Sequence, residues 1–253
     1  MAGNPYWDKL VLGLHCDGTN GSTTFTDVKG KTVTANGNAQ ISTAQYPSLT
    51  GKTSSGYLDG TGDYLSVPDS SDWDFGTGDF TIRVFVRFSS FSNSPAVIGN
   101  YLNSTTGWVI QYVFSDGSLR FYNGDTALVG AVWSGTTGVW YLVEVSRSGT
   151  SLKMFVNGVQ HGTTATDSTN ITGSSAPLRI GRVGTGSSVD LNGYISEVEI
   201  YKGVALNTSA YTPSGNPFEE GYLPSASGVI SAVGNVPYFP YGATSRPCIF
   251  VNA

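Results

Sequence analysis

The most regular pattern in the chain is an alternation of apolar and polar side chains over residues 80–88. One face of an extended strand would carry Phe80, Ile82, Val84, Val86 and Phe88. The other face would carry Thr81, Arg83, Phe85 and Arg87. A period of two with β-branched and aromatic residues is typical of a strand, whereas a helix would scatter the apolar residues around its circumference. The pattern therefore predicts a β-strand with one buried face.

Shorter runs of the same kind recur along the chain and are separated by Gly, Asn and Asp turn residues. Two pairs of runs predict hairpins, 108–113 with 119–122 and 140–147 with 152–156, because short Gly-containing turns join them. Since strands recur without intervening helices, we expect about twelve to fourteen strands in two stacked antiparallel sheets. Between the sheets, the strand at 80–88 is expected to meet Leu142 or Val143, Met154, Val156, Val198 and Ile200.

Composition agrees with this fold class and argues against several kinds of partner. The 253 residues suffice for one large β domain or two small ones, and only 12% of them are charged. The net charge of −5, without a cluster of Lys and Arg, argues against a nucleic-acid surface. No run is long enough to cross a bilayer, and the first ten residues show no secretory signal. We expect synthesis in the cytoplasm, no membrane insertion and no anchoring domain before the first strand.

Short motifs in a fixed order carry a family resemblance. They are Leu58-Asp59-Gly60, Asp63-Tyr64-Leu65, Asp79-Phe80-Thr81-Ile82, Trp140-Tyr141-Leu142-Val143 with Arg147, Phe155-Val156-Asn157-Gly158, Ile180-Gly181 and the stretch 193–206. In order and spacing they resemble the laminin-G-like group of concanavalin A-type jelly rolls. The resemblance implies an all-β, two-sheet antiparallel jelly-roll sandwich of the concanavalin A-like lectin/glucanase type over residues 1–220. An extended C-terminal segment, residues 221–253, would follow it.

The end of the matching region is similar to copies of this domain in bacteriophage virion proteins. Its motif is Lys202-Gly203-Val204-Ala205-Leu206, followed by Tyr211-Thr212-Pro213 and Pro217-Phe218. This resemblance implies a non-enzymatic protein of the virion surface, either a capsid decoration or an attachment component, made in the host cytoplasm. We expect it to be homo-oligomeric on the particle and to contact other virion proteins. A free glycan-binding lectin and, with weaker support, a glycoside hydrolase are the alternatives.

Residues 221–253 differ in character from the rest of the chain. They contain four prolines and only one charged residue, Arg246. Disordered tails are polar and poor in aromatic residues, so this segment is expected to be bound to something. The side chains that would dock it on another virion protein are Tyr238, Phe239, Tyr241, Ile249 and Phe250. The alternative is that the final strand-like run joins the domain's own sheet.

The two cysteines lie near opposite ends of the chain, in apolar runs. Cys16 and Cys248 are interpreted as two buried, reduced thiols. A disulfide between them would require that the first and last strands be neighbours.

No catalytic set emerges from the sequence. His15 and His161 have no Ser or Cys beside them in a nucleophile setting. Jelly-roll glycosidases use paired acids on one strand face, and the nearest match is Glu197-Val198-Glu199, with Lys202 where a third acid would stand. We interpret these as surface glutamates beside Arg83 or Arg87. Because relatives usually carry Glu in the strand after Asp-Phe-Thr-Ile and Arg in the closing strand, the exchanged charges of Arg83 and Glu199 predict an exposed salt bridge between adjacent strands.

Two binding sites are open to prediction. A glycan site would need an exposed aromatic ring with amide or hydroxyl groups, and the candidates are Trp108, Tyr112, Tyr122, Asn123 and Trp133. No cofactor is required by the pattern. A calcium site is the one option, with Asp59 and Asp63 as candidate ligands, because aspartates crowd these turns and calcium prefers oxygen ligands.

Overall fold

The protein is an antiparallel β-sandwich. The computed structural model describes residues 4–184 and 189–213; all of them lie in the first of the chain's two compact units, Met1–Tyr222. The five docking residues predicted between Tyr238 and Phe250, and Cys248, lie outside the described residues.

Sixteen strands and two 3₁₀ helices form within the described ranges. The helices are Ser48–Thr50 and Ser71–Trp73. In chain order the strands are β1 (Leu10–Leu14), β2 (Thr34–Asn36), β3 (Gln40–Ser42), β4 (Ser55–Asp59), β5 (Tyr64–Val67), β6 (Phe80–Phe88), β7 (Ala96–Gly99), β8 (Trp108–Val113), β9 (Ser118–Asn123), β10 (Thr126–Val132), β11 (Trp140–Ser148), β12 (Ser151–Val156), β13 (Val159–Gln160), β14 (Ala165–Thr166), β15 (Leu178–Ile180) and β16 (Asn192–Lys202).

The strands divide into a nine-stranded and a seven-stranded sheet. The nine-stranded sheet has the order β13-β12-β11-β6-β16-β4-β3, with β1 added to β16 and β14 to β12. The seven-stranded sheet has the order β10-β9-β8-β7-β15-β5-β2. The predicted fold class and both predicted hairpins are confirmed. The number of strands exceeds the predicted twelve to fourteen because several strands have only two or three residues, too few to show a period of two.

The core lies between the sheets, with the register that the sequence predicts. All five alternating apolar residues of β6 are fully buried there. They share the core with Val143, Met154, Val198 and Ile200, and Val156 packs at its edge. Leu142 is paired with Phe85 and lies outside this core cluster. Of the two predicted alternatives, Leu142 and Val143, it is therefore Val143 that belongs to the core.

The central strand β16 changes partner halfway along its length. One of its edges pairs with β6 throughout, while the other pairs first with β4 and then with β1. A β-bulge between Ser196 and Glu199 marks the change. Within the bulge Glu197 adopts a left-handed backbone conformation, φ +47°, which is uncommon outside glycine.

On the outer face of the nine-stranded sheet, Thr81, Arg83 and Phe85 of β6 are also buried, although the alternation in β6 predicts one buried face. Residues 203–213 turn back across this face after β16. The backbone N–H of Leu206 donates to Thr81 Oγ1 at 2.9 Å, and the Thr81 hydroxyl donates to the Val204 carbonyl at 3.1 Å. The backbone N–H of Tyr211 donates to the Gly158 carbonyl at 2.9 Å. This covering segment is not a strand, so its sequence has no period-two pattern from which its position could be predicted.

Candidate functional site

A groove of about 480 Å³ lies on the outer face of the seven-stranded sheet. It is lined by Ser94, Tyr101, Leu102, Val109, Gln111, Val113, Tyr122, Gly124, Asp125, Val183, Gly184 and Val189. Strand β8 supplies part of its floor because its side chains alternate. Trp108 and Ile110 belong to the core, whereas Val109 and Gln111 line the groove. Its size is that of a small-molecule site.

The polar groups of the groove are held by hydrogen bonds. The Tyr101 hydroxyl donates to Asp125 Oδ1 at 2.7 Å, and this bond raises the pKa of the Tyr101 phenol. The Gln111 side-chain amide donates to the Ser94 carbonyl at 2.7 Å. Asp125 therefore presents an oriented carboxylate beside an aromatic hydroxyl.

The β9–β10 turn positions Asp125 through a glycine. Gly124 has φ +54°, and a Cβ there would clash with the Ser104 carbonyl oxygen. The next residue, Asp125, donates its backbone N–H to that same oxygen at 2.8 Å. Only a glycine allows this close approach, so the turn fixes where the carboxylate stands.

The groove combines the groups that sugar recognition uses. Apolar side chains and the ring of Tyr122 can cover the C–H face of a sugar, because an aromatic side chain offers a broad apolar surface with a polar edge. Asp125 and Gln111 can exchange hydrogen bonds with hydroxyl groups. A mostly apolar pocket with a few fixed polar groups is the usual form of a ligand site.

The predicted glycan residues separate into three groups. Tyr122 lines the groove. Trp108 and Tyr112 belong to the core, and the Trp108 indole donates to the Trp73 carbonyl at 3.0 Å, so these two predictions are corrected. Trp133 packs against Tyr141, with ring centroids 4.7 Å apart, and Asn123 is paired with Trp108 at the end of β9.

The sequence missed Tyr101, Gln111 and Asp125 as groove residues. Gln111 could have been found, because period two from the buried Ile110 places it on the opposite face. Tyr101 and Asp125 lie between strands, where no periodicity shows the direction of a side chain.

A second groove, of about 470 Å³, lies against Phe85 and Trp140 of the nine-stranded sheet. Its other lining residues are Tyr46, Pro47, Ser48, Leu49, Asn157, Thr212 and Pro213. Among these described residues there is no Asp, Glu, His, Lys or Arg. It offers aromatic surface but no charged group to orient a ligand.

The paired glutamates of β16 are buried, contrary to the prediction that they lie on the surface. Arg83 Nη1 lies 3.9 Å from Glu199 Oε2, and Arg83 Nε lies 3.3 Å from Glu144 Oε2. The predicted Arg83–Glu199 contact between adjacent strands is confirmed, but Glu199 is 0% exposed. Residues 203–213 exclude water here, with Asn207 and Tyr211 both donating to Glu144.

Burial governs the ionisation of this cluster. Loss of hydration raises the pKa of Glu199 to about 7, although the positive charge of Arg83 opposes the shift. The pKa of Glu144 is raised for the same reason. The Tyr201 hydroxyl donates to Glu199 Oε2 at 2.6 Å. Of the cluster, Glu144 is the member that joins the sheet to residues 203–213, because it accepts from Asn207 and Tyr211.

The two histidines have structural partners. His15 Nδ1 lies 2.9 Å from Glu197 Oε2, and burial raises the pKa of that glutamate. His161 Nε2 donates to the Ala131 carbonyl at 3.0 Å, and burial lowers the pKa of its imidazole.

The two candidate calcium ligands, Asp59 and Asp63, stabilise turns by accepting backbone hydrogen bonds. Asp63 accepts the backbone N–H groups of Asn38 and Asp59 at 2.7 and 3.0 Å. Asp59 accepts the backbone N–H of Thr61 at 2.7 Å. Within residues 4–184 and 189–213, no three acidic, His or Cys side chains are grouped to hold a metal ion.

Cys16 is buried with a free thiol.

The sequence and its fold place the chain in a family. Residues 59–209 match the Laminin_G_3 family, described as the concanavalin A-like lectin/glucanases superfamily. The chain belongs to this superfamily. The match includes the central strand β6, the hairpin β11–β12 and the closing strand β16 of the laminin-G-like domain. No curated protein sequence matches the chain.

Solved structures of low sequence identity share the fold. Domain 4 of AbnA, a GH43 extracellular arabinanase from Geobacillus stearothermophilus solved with arabinotriose, aligns with TM-score 0.59 and 18% identity over 78% of this chain and 94% of that one. The binding domain of Paraclostridial Mosquitocidal Protein 1 aligns with TM-score 0.59 and 16% identity over 79% and 50%. The Trypanosoma rangeli sialidase aligns with TM-score 0.54 and 16% identity over 79% and 32%. The chain thus spans half of the mosquitocidal-protein domain.

Proposed function

We propose that this laminin-G-like domain binds carbohydrate in the groove of the seven-stranded sheet. The observation that carries the proposal is the arrangement of the Tyr122 ring and the Tyr101–Asp125 pair around an apolar floor. Two structures of the same fold support the proposal: one is an arabinanase domain solved with arabinotriose, and the other is the binding domain of a mosquitocidal protein.

A glycan array with matched variants tests this proposal. Tyr122→Ala removes the ring from the groove, and Tyr46→Ala removes an exposed tyrosine from the second groove. Loss of a stacking ring should weaken binding roughly tenfold or more. We expect this loss for Tyr122→Ala alone. Equal binding by the wild type and Tyr122→Ala, or loss only in Tyr46→Ala, would place the site elsewhere.

The proposed function does not include hydrolysis. A glycosidase needs two carboxyl groups that reach the substrate, whereas Glu197 and Glu199 are 1% and 0% exposed. The intact protein is expected to release no sugar from β-glucan or other polysaccharides. Turnover that disappears in Glu197→Gln or Glu199→Gln would overturn this part of the proposal and favour the glycosidase alternative.

We further propose that the domain is displayed on a phage virion as a decoration or attachment component, in several copies. The support is the resemblance of the motif around residues 202–218 to virion copies of the domain. Residues 221–253 would contact another virion protein, and the sandwich would be displayed on the particle surface. Imaging of particles with and without the protein distinguishes this role from that of a free lectin, which would bind the same glycans without being part of a particle.

A further inference from the structure

We infer that the groove of the seven-stranded sheet selects neutral oligosaccharides and discriminates against sialylated or uronic-acid sugars; this rests on the proposed carbohydrate-binding function. Asp125 is the one ionised side chain among the described residues that line the groove. A sugar carboxylate entering beside it would meet a like charge. A neutral sugar would instead offer hydroxyl donors to it.

The Asp125 carboxylate is positioned to accept such hydroxyl groups. Oδ1 accepts the Tyr101 hydroxyl, and in the part of the chain that the structure describes Oδ2 has no hydrogen-bond partner. The side chain is exposed at the groove rim. A carboxylate held by one oxygen can receive a ligand hydroxyl at the other, and hydrogen bonds to a charged acceptor are stronger than neutral ones.

Three arginines are adjacent to residues that line the groove, and each of them has a partner. Arg120, paired across the strands with Gln111, binds Asp116 at 2.8 Å. Arg182 binds Asp190 at 2.6 Å.

Arg179 is engaged by neutral groups. It donates to the Gly184 carbonyl at 2.9 Å, and its guanidinium lies 5.8 Å from the Tyr64 ring centroid. Recognition of a sugar carboxylate usually employs a bidentate arginine, and none of these three arginines lines the groove.

Binding to matched pairs of sugars tests the inference. The probes are lactose with 3′-sialyllactose, and xylotriose with its glucuronic-acid-substituted form, measured by calorimetry together with the neutral and acidic members of a glycan array. Repulsion between two charges a few ångströms apart near a surface predicts that the acidic member of each pair binds about tenfold or more weakly. Asp125→Asn keeps the shape of the side chain and should lower the affinity for the neutral member about tenfold. It should also reduce the preference within the pair.

Two further variants keep the test decisive. Asp8→Asn changes an exposed acid that does not line the groove, and it should leave the preference for the neutral sugar unchanged. Tyr101→Phe removes the hydrogen bond that orients Asp125 and should reduce the preference partly, which provides a second readout if Asp125→Asn fails to fold. Equal or tighter binding of the acidic members, or an unchanged preference in Asp125→Asn, would overturn the inference while leaving carbohydrate binding intact. Absence of binding to every glycan on the array would overturn both.

Discussion

At the scale of single residues, the cluster of Arg83, Glu144 and Glu199 has the largest consequences. Two carboxylates and one guanidinium are removed from water, which is costly unless they are paired and hydrogen-bonded. Tyr201 donates to Glu199, and Asn207 and Tyr211 donate to Glu144, while Glu199 Oε1 and Arg83 Nε have no hydrogen-bond partner among the described residues. Removal of one member leaves an uncompensated buried charge, so the cluster should be more sensitive to substitution than an exposed salt bridge.

Glu199 should make stability depend on pH. Its pKa of about 7 in the folded protein lies above the value of about 4.3 in an unfolded chain, so the folded state binds the proton more tightly. The stability from this group is therefore complete below about pH 4 and is lost as the pH rises through about 7, by about 4 kcal/mol.

The measurement is urea unfolding at several pH values for the wild type and Glu199→Gln. The wild type should lose stability relative to this variant between about pH 4 and 8. Asp8→Asn, which changes an exposed acid, should follow the wild type. Parallel pH curves for the wild type and Glu199→Gln would show that Glu199 does not titrate with a raised pKa.

The core register gives a second prediction. Ile82 and Val198 are fully buried between the sheets, and truncation to Ala removes buried surface and leaves a cavity. Ile82→Ala or Val198→Ala should cost about 2–4 kcal/mol. Val159→Ala, at a position 67% exposed, is the control and should change stability by less than about 0.5 kcal/mol. Denaturant midpoints with unchanged slopes provide the comparison, and an undiminished midpoint for Ile82→Ala would contradict the register.

At the scale of elements, the sequence predicted the sandwich well and its outer surfaces poorly. The alternation in β6 was enough for the core register, and the turn residues after β8 and after β11 were enough for the two hairpins. The exposed position expected for Arg83 and Glu199 was wrong because residues 203–213, which have no periodic pattern, cover them. Trp108 and Tyr112 were placed in the glycan site because composition alone does not tell which face of β8 is buried.

The covering segment should contribute directly to stability through Tyr211. Its hydroxyl donates to Glu144 Oε2 at 2.7 Å, inside the buried cluster. Tyr211→Phe keeps the ring, which lies 5.7 Å from that of Phe155, and removes only this bond. A hydrogen bond to a buried charge is worth about 1.5–3 kcal/mol, and thermal unfolding should show that loss. Tyr6→Phe, at an exposed tyrosine, is the control. Equal stability of both variants would indicate that the bond from Tyr211 to Glu144 does not contribute to stability.

At the scale of the whole molecule, the described residues form a two-sheet sandwich with its own core, and its groove lies on one outer face. We expect that deletion of residues after Tyr222 leaves a folded domain that still binds glycans but no longer assembles on a virion. Deletion after Gly203 removes the covering segment as well and should expose the Arg83 cluster and prevent stable folding. Circular dichroism reports whether each truncated protein folds, and a particle-binding assay reports whether it assembles. If the protein that ends at Tyr222 is unfolded, residues 223–253 contribute to the stability of the domain itself.

The most direct test of the central claim is a crystal structure of the protein with a neutral oligosaccharide selected on the glycan array. We predict sugar density in the groove of the seven-stranded sheet, with a ring against Tyr122 and a hydroxyl within hydrogen-bond distance of the Asp125 carboxylate. Sugar bound at Trp140 in the second groove, or at the turn of Asp59 and Asp63, with the groove of the seven-stranded sheet empty, would contradict it.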